Sequence, residues 1–243
     1  FAYEKKGLLE MFQTEANEEH SHHVAEEAHK LGLDAVMLSK DEVQAMEPQV
    51  ELNIRGALYF KCDAHLYPQK LMKGLMGILH RNGVQLIPNA EVNGFVKNGK
   101  QITAVKTSTQ THDADVVVIA TGSWSREIAV VAGMNLPLMP GRGYSVTLED
   151  SAFVFNHPAV LQEGRVAITP MDGNKIRFGG TMEITSTKTA PRLKRVEGIL
   201  NAVERFVPQF KIPVPTADKI WYGYRPCSPD GLPYIGKVNS NTI

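Results

Sequence analysis

The stretch V-V-V-I-A-T-G-S-W-S, residues 116–125, restricts the fold more than any other part of this 243-residue chain. Its unbroken aliphatic run, Val116–Ala120, reads as a strand buried on both faces, as in a parallel sheet covered by helices. Such sheets bind ligands beyond the carboxyl ends of their strands. Thr121 and Gly122 stand at that end, where a glycine lets the backbone approach a phosphate or sugar closely. An ordinary strand-to-helix turn would carry the same residues, and a lone glycine motif does not separate the two readings. No G-x-G-x-x-G precedes the run.

Around this stretch the periodicities predict helices and hairpins mixed along the chain. Ala16, Val24, Ala25, Ala28 and Leu31 recur at near-helical spacing in an otherwise polar run that Gly32 would end. Ser39-Lys40-Asp41-Glu42 has the form of a capping box and predicts a short helix closed by Pro48. Pro68 suits a first helical position and predicts a helix running to Asn82-Gly83. V-Q-L-I-P, residues 84–88, then reads as a strand. Asn98-Gly99 predicts a hairpin closed by a type I′ turn, in which both residues take positive φ. A helix is expected from about Ser125 to Ala132. Strands follow from Tyr144 to Ile184, with a second hairpin about Met171-Asp172-Gly173-Asn174. Pro191 as a first helical residue predicts a last helix over Pro191–Phe206. The segment from Trp221 onward reads as turns. The class is α/β or mixed α+β.

Twenty-six basic and 26 acidic residues cancel, which argues against a broad electrostatic partner such as DNA or an anionic membrane. Hydrophobic residues make up 43% of the chain, enough for a sizeable core. No apolar run approaches the roughly 20 residues of a membrane-spanning helix. Cys62 and Cys227 lie far apart and lack C-x-x-C spacing, so they suggest neither a metal site nor a disulfide framework and fit a reducing cytoplasm. His20, His22 and His23 cluster on the first helix, but no third ligand follows from the sequence and no metal site is assigned. Nucleophilic catalysis has no support: G-x-S-x-G is absent and neither cysteine has an activating neighbour.

Two clusters carry polar chemistry. In Tyr222-Gly223-Tyr224-Arg225-Pro226 the guanidinium fork suits a carboxylate held by two parallel hydrogen bonds. A structural arginine paired with Asp230 fits the same residues. Asp230-Gly231, inside Pro229–Pro233, marks a tight turn. Gly141-Arg142-Gly143-Tyr144-Ser145 lacks the third glycine and the helix of a nucleotide loop. Its Tyr144 hydroxyl is in a position to reach a substrate, and a half-buried strand tyrosine is the alternative.

Four segments in register, V-V-V-I-A-T-G-S-W-S, L-P-L-M-P-G-R-G-Y-S, I-R-F-G-G-T-M-E and W-Y-G-Y-R-P-C-S-P-D-G-L-P-Y-I-G, together resemble one family. It is the FAD-dependent amine and amino-acid oxidoreductases of the D-amino-acid oxidase type, which includes bacterial D-amino-acid dehydrogenase and glycine oxidase. The likeness runs from about Gly7 to the last residue. It implies an α/β fold in which part of a Rossmann-like FAD domain (residues 67–138 and 223–243) is interleaved with a substrate domain (1–66 and 139–222). The substrate domain would be a large mixed sheet flanked by helices. The family's dinucleotide fingerprint and a second glycine-rich flavin segment have no counterpart in residues 1–243, and Phe1 rather than Met opens the chain. The resemblance thus implies an internal stretch of a longer FAD protein, and little or no FAD on this stretch alone.

Carried over residue by residue, the likeness assigns Arg225 to the substrate α-carboxylate and Tyr144 to the substrate pocket. Thr121, Gly122 and Trp124 would lie near the adenosine half of FAD. Gly231, Leu232, Pro233 and Ile235 would line the path towards the flavin ring, while Arg177 and Glu183 read as structural. The implied reaction passes a hydride from the Cα of an amino acid, a D-amino acid first, to flavin N5. The imino acid formed then hydrolyses to a 2-oxo acid and ammonia. No side chain is singled out as a catalytic acid or base. Glycine, sarcosine, hydroxyproline, a 2-hydroxy acid or glycerol 3-phosphate are alternative substrates, and a non-catalytic folded core is the alternative for residues 1–243 taken alone. The electron acceptor stays open between oxygen, a quinone and another carrier, and the expected location is the cytoplasm or the periphery of the inner membrane.

Overall fold

The computed structural model describes residues 2–243. In chain order its elements are β1 (Leu8–Phe12), α1 (Glu15–Lys30), β2 (Ala35–Ser39), α2 (Lys40–Met46), β3 (Gly56–Phe60), α3 (Pro68–Arg81), β4 (Val92–Asn98), β5 (Gln101–Thr107), β6 (Thr111–Asp113), α4 (Ser125–Val131), β7 (Met139–Leu148), β8 (Ala159–Leu161), β9 (Val166–Pro170), β10 (Ile176–Ile184), α5 (Leu193–Phe206) and β11 (Trp221–Cys227).

Local chemistry explains most boundaries. Thr14 caps α1 by accepting from the Asn17 backbone N–H, and Ser39 and Glu42 form the capping box of α2 in both directions. Helix α3 begins at Pro68 as expected, although none of its side chains is buried. Pro191 is not the first residue of α5: Arg192 is its N-cap and Leu193 opens the helix. The α5 face that carries Val196, Ile199, Leu200, Val203 and Phe206 is buried, at the i, i+3, i+4, i+7 spacing that makes one stripe.

Eight strands form a mixed sheet in the order β11-β7-β10-β9-β8-β1-β3-β2. β1 is antiparallel to β3 and parallel to β8, while β8-β9 and β9-β10 are antiparallel. Leu9, Met11, Leu161, Ile168 and Phe178 from this sheet join the buried face of α5 in the main core. Each such side chain contributes about 1.5–3 kcal/mol on burial. On the β2-β3 side, Ala25 and Ala28 of α1 pack on Ala35 and Leu58.

A second sheet, β4-β5-β6, is a meander whose core is Ile102, Val117 and Ala132. The chain divides into two compact units. Among the described residues, one holds 2–82, 144–181 and 191–222; the other holds 83–143, 182–190 and 223–243.

Four local expectations need correction. The β4-β5 hairpin forms, but Asn98 pairs with Gln101, so Gly99 and Lys100 are the loop. Gly99 has φ +59° while Lys100 has no positive φ, which excludes a type I′ turn and matches the demand of a II′ turn. Residues 84–88 form no strand and are exposed. Val116–Ala120 is a short ladder rather than a fully buried strand. Val117 and Ile119 bond in parallel to residues 241–243, whereas Val116 and Val118 are 57% and 62% exposed. Finally, the turn-rich end opens with strand β11, Trp221–Cys227.

The 239–241 segment ties the second unit together through side chains acting as backbone. Asn241 Oδ1 accepts from the Ile102 N–H, and its Nδ2 donates to the carbonyls of Ile102 and Asp115 at 2.7 and 3.1 Å. Asn239 Nδ2 donates to the Lys100 carbonyl at 2.8 Å.

Candidate functional site

Strand β11 organises the site, all of which lies in the second compact unit. Alternation along a strand sets Arg225 and Cys227 on one face and Tyr224 on the other. Arg225 is exposed and makes no ion pair among the described residues. Its alternative partner Asp230 is engaged elsewhere, accepting from the Leu232 N–H at 3.1 Å within the turn. That bond, aided by the Ser228 side chain, holds the Asp230 carboxyl below the usual carboxylate range. An exposed guanidinium with no internal acid keeps its fork available for a ligand carboxylate.

Beside Arg225, Cys227 Sγ lies 3.9 Å from Met182 Sδ, and both sulfurs sit over Gly141. A Cβ built on Gly141 would lie 2.6 Å from the one and 2.9 Å from the other. Glycine is required there by close approach, not by its φ. The result is a soft, polarizable surface next to a cation.

On the opposite face Tyr224 packs edge-on against Trp124, with ring centroids 5.9 Å apart. This contact brings β11 to the turn that ends V-V-V-I-A-T-G-S-W-S. There Thr121 Oγ1 donates to Ser125 Oγ at 3.0 Å, Gly122 adopts φ +57°, and Gly122–Trp124 make one 3-10 turn ahead of α4. Gly231 also takes positive φ, and Leu232, Pro233 and Ile235 beyond it are exposed.

These residues fit a ring-bearing cofactor. A Cβ on Gly122 would meet nothing within 4 Å, so there is room at that backbone. Trp124, Leu232 and Ile235 are 51%, 66% and 88% exposed, large apolar surfaces of the kind that ligand sites use. Ser123 is buried with its hydroxyl unpaired among the described residues.

Tyr144 belongs to the first unit. It is 2% exposed, and its hydroxyl accepts from the Arg192 N–H at 2.9 Å, ahead of α5. That geometry is the strand-tyrosine alternative. Arg177 donates to Thr147 Oγ1, also within the first unit.

Sequence reasoning passed over Arg142, which with Glu47 is one of two fully buried charged residues among those described. It is 0% exposed; its Nε and Nη2 donate to Glu183 Oε1 at 2.9 and 2.6 Å. Nη1 also donates to the Thr189 carbonyl at 2.6 Å, and Nη2 to the Ala190 carbonyl at 2.9 Å. A basic residue between two glycines gives no sign of this, because the acid lies 41 positions away. Among the described residues no group of three His, Cys, Asp or Glu side chains could hold a metal ion. Nor is any helix there long and apolar enough to cross a membrane.

A family profile described as FAD dependent oxidoreductase, DAO, matches residues 1–243. The chain belongs to this family. Within the curated proteins it is similar to the D-amino acid dehydrogenase of Neisseria gonorrhoeae (strain ATCC 700825 / FA 1090), 33% identical over 252 residues. That match covers 100% of this chain and 58% of the relative. The hydrogen cyanide synthase subunit HcnC of Pseudomonas aeruginosa is 27% identical over 240 residues, covering 98% of this chain and 57% of that protein. The chain therefore spans a little under three fifths of these DAO-family relatives. The crystal structure of glycine oxidase from Bacillus cereus ATCC 14579 superposes with TM-score 0.87 at 26% identity, over 99% of this chain and 65% of that one. The mixed sheet with flanking helices is the DAO fold.

Proposed function

We propose that this protein is an FAD-dependent oxidoreductase that oxidises the Cα–N bond of an amino acid, with D-amino acids as the first candidates. The reading is supported by one observation: in a chain that matches the family along residues 1–243, Arg225 stands exposed on β11 with no ion pair among the described residues. Arg225 would receive the α-carboxylate in a bidentate fork and fix the substrate's orientation. Met182 and Cys227, beside it over Gly141, offer an apolar, polarizable surface to the rest of the substrate. Thr121, Gly122 and Trp124 would hold the adenosine half of FAD, and Gly231, Leu232, Pro233 and Ile235 the side towards the flavin. When bound, FAD supplies the two-electron acceptor for the hydride that leaves Cα, and water then converts the imine to a 2-oxo acid and ammonia.

We assign residues 67–138 and 223–243 to the flavin half and 1–66 and 139–222 to the substrate half. Most of the proposed flavin half, from Gly83 on, falls in one compact unit; residues 67–82, 139–143 and 182–190 fall outside that correspondence. Tyr144 is retained in the substrate half as a buried residue that supports the pocket from behind, since it is 2% exposed and its hydroxyl is engaged.

The test is a panel of D- and L-amino acids, glycine included, with a dye acceptor and the FAD-loaded full-length protein. Arg225→Ala should lower kcat/KM at least about thirtyfold, the low end of about 2–5 kcal/mol for a truncated charge pair. Wild-type kcat/KM in that variant would remove Arg225 from the site. Glycine is the second reading, favoured by the likeness to a glycine oxidase structure; turnover of glycine above every D-amino acid would select it.

A further inference from the structure

We propose that Arg142 and Glu183 are a positioning pair for the strand that carries Arg225. The reading rests on Arg225 as the carboxylate ligand. The pair is almost wholly buried, with side chains 0% and 5% exposed, and it does more than neutralise itself. Two of the Arg142 donors are spent on the carbonyls of Thr189 and Ala190, so the guanidinium fixes the loop that follows β10. The same loop presents the Thr187 carbonyl, which accepts from the Tyr224 hydroxyl at 3.0 Å. Tyr224 is the residue before Arg225 and the one whose ring meets Trp124.

A continuous path therefore runs from Glu183 through Arg142, the 187–190 carbonyls and the Tyr224 hydroxyl to the peptide that joins Tyr224 to Arg225. Both ends of the proposed site depend on it: the cation on one face of β11, and the Trp124 contact on the other. An exposed arginine without an internal acid is held in register only through its backbone, which pairs with β7 in the sheet. The Tyr224 hydroxyl adds a side-chain tie next to it. A buried pair serves this better than a packed aliphatic cluster, because a guanidinium fork fixes direction as well as distance. Neither Arg142 nor Glu183 need touch substrate, so both are positioning residues.

The experiment uses the FAD-loaded full-length protein and propanoate, a carboxylate with no amine to oxidise. Its dissociation constant is measured by calorimetry, beside a thermal melt, for wild type, Arg225→Ala, Tyr224→Phe, Glu183→Gln and the Tyr224→Phe/Glu183→Gln double variant. Tyr224→Phe keeps the ring on Trp124 and deletes only the hydroxyl, so it should fold. It is expected to weaken propanoate about fivefold, the size of one lost hydrogen bond. Glu183→Gln should weaken it at least as much, and the double variant should be no weaker than the worse single one, as for members of one network.

Unchanged propanoate affinity in Tyr224→Phe, with affinity lost in Arg225→Ala, overturns the positioning role and leaves the carboxylate reading intact. So does a Glu183→Gln protein that melts earlier but binds propanoate like wild type. Should Glu183→Gln fail to fold, Tyr224→Phe alone decides. Unchanged affinity in Arg225→Ala overturns the carboxylate reading, and the positioning role with it.

Discussion

Gly141 shows how far a single residue is legible without coordinates. The sequence presents it as half of an incomplete nucleotide loop, but its necessity comes from Cys227 and Met182, 86 and 41 positions away in the chain. Gly141→Ala should destabilise the protein by about 1–3 kcal/mol, the usual cost of overpacking. Adding Cys227→Ala should recover part of the loss. Denaturant unfolding of the single and double variants measures both, and equal stability of wild type and Gly141→Ala would refute the crowding. Arg225 was readable as to type, since guanidinium chemistry is intrinsic to the residue. Its lack of an acid partner was not, because Asp230 is five residues away in sequence and still bonds its own turn. Arg142 was unreadable for the same reason in reverse: its partner comes from another strand.

At the scale of elements, ends set by neighbouring residues were legible and pairings set by distant ones were not. The capping box of α2 and the proline start of α3 are local chemistry, and both stand where the sequence put them. The turn at Gly99 slipped by one residue because hairpin register answers to the whole ladder. Val116–Ala120 was misjudged because an aliphatic run does not say how many neighbours will cover it. Helix α1 adds a non-local device. Glu163 Oε1 accepts from the Gln13 N–H, the Thr14 N–H and the Thr14 hydroxyl at 2.9–3.0 Å, placing a carboxylate at the helix N-terminus. Burial opposes its charge, but these donors and the Asn17 side chain outweigh burial and hold the carboxyl below the usual range. A lowered folded value means that this stabilisation is complete above the ordinary glutamate pKa of about 4.3. It fades as pH falls on through the lowered value. Between pH about 5 and 3 the melting temperature of wild type should therefore drop more steeply than that of Glu163→Gln. Parallel slopes would show that Glu163 has no part in acid unfolding.

For the molecule as a whole, the family-level fold was legible because four weak segments kept their order and spacing, which no single one of them could show. Each of the two compact units is assembled from three separate stretches of chain. Asn241 measures how much the second unit depends on this assembly. Its side chain makes three bonds to backbone more than a hundred residues earlier. Asn241→Ala should cost about 2 kcal/mol if each lost bond is worth roughly 1 kcal/mol with partial replacement by water. Chemical denaturation gives the value, and a loss under about 0.5 kcal/mol, the scale of an ordinary surface change, would mean that the segment is merely lying alongside. The bonds of Val117 and Ile119 to residues 241–243 also set an order of events during synthesis. At about 5–20 residues per second, the ribosome takes on the order of 6–25 s to add the stretch between them. Throughout that interval the half-made ladder has no partner to zip onto, which is when a chaperone would have the most to shield.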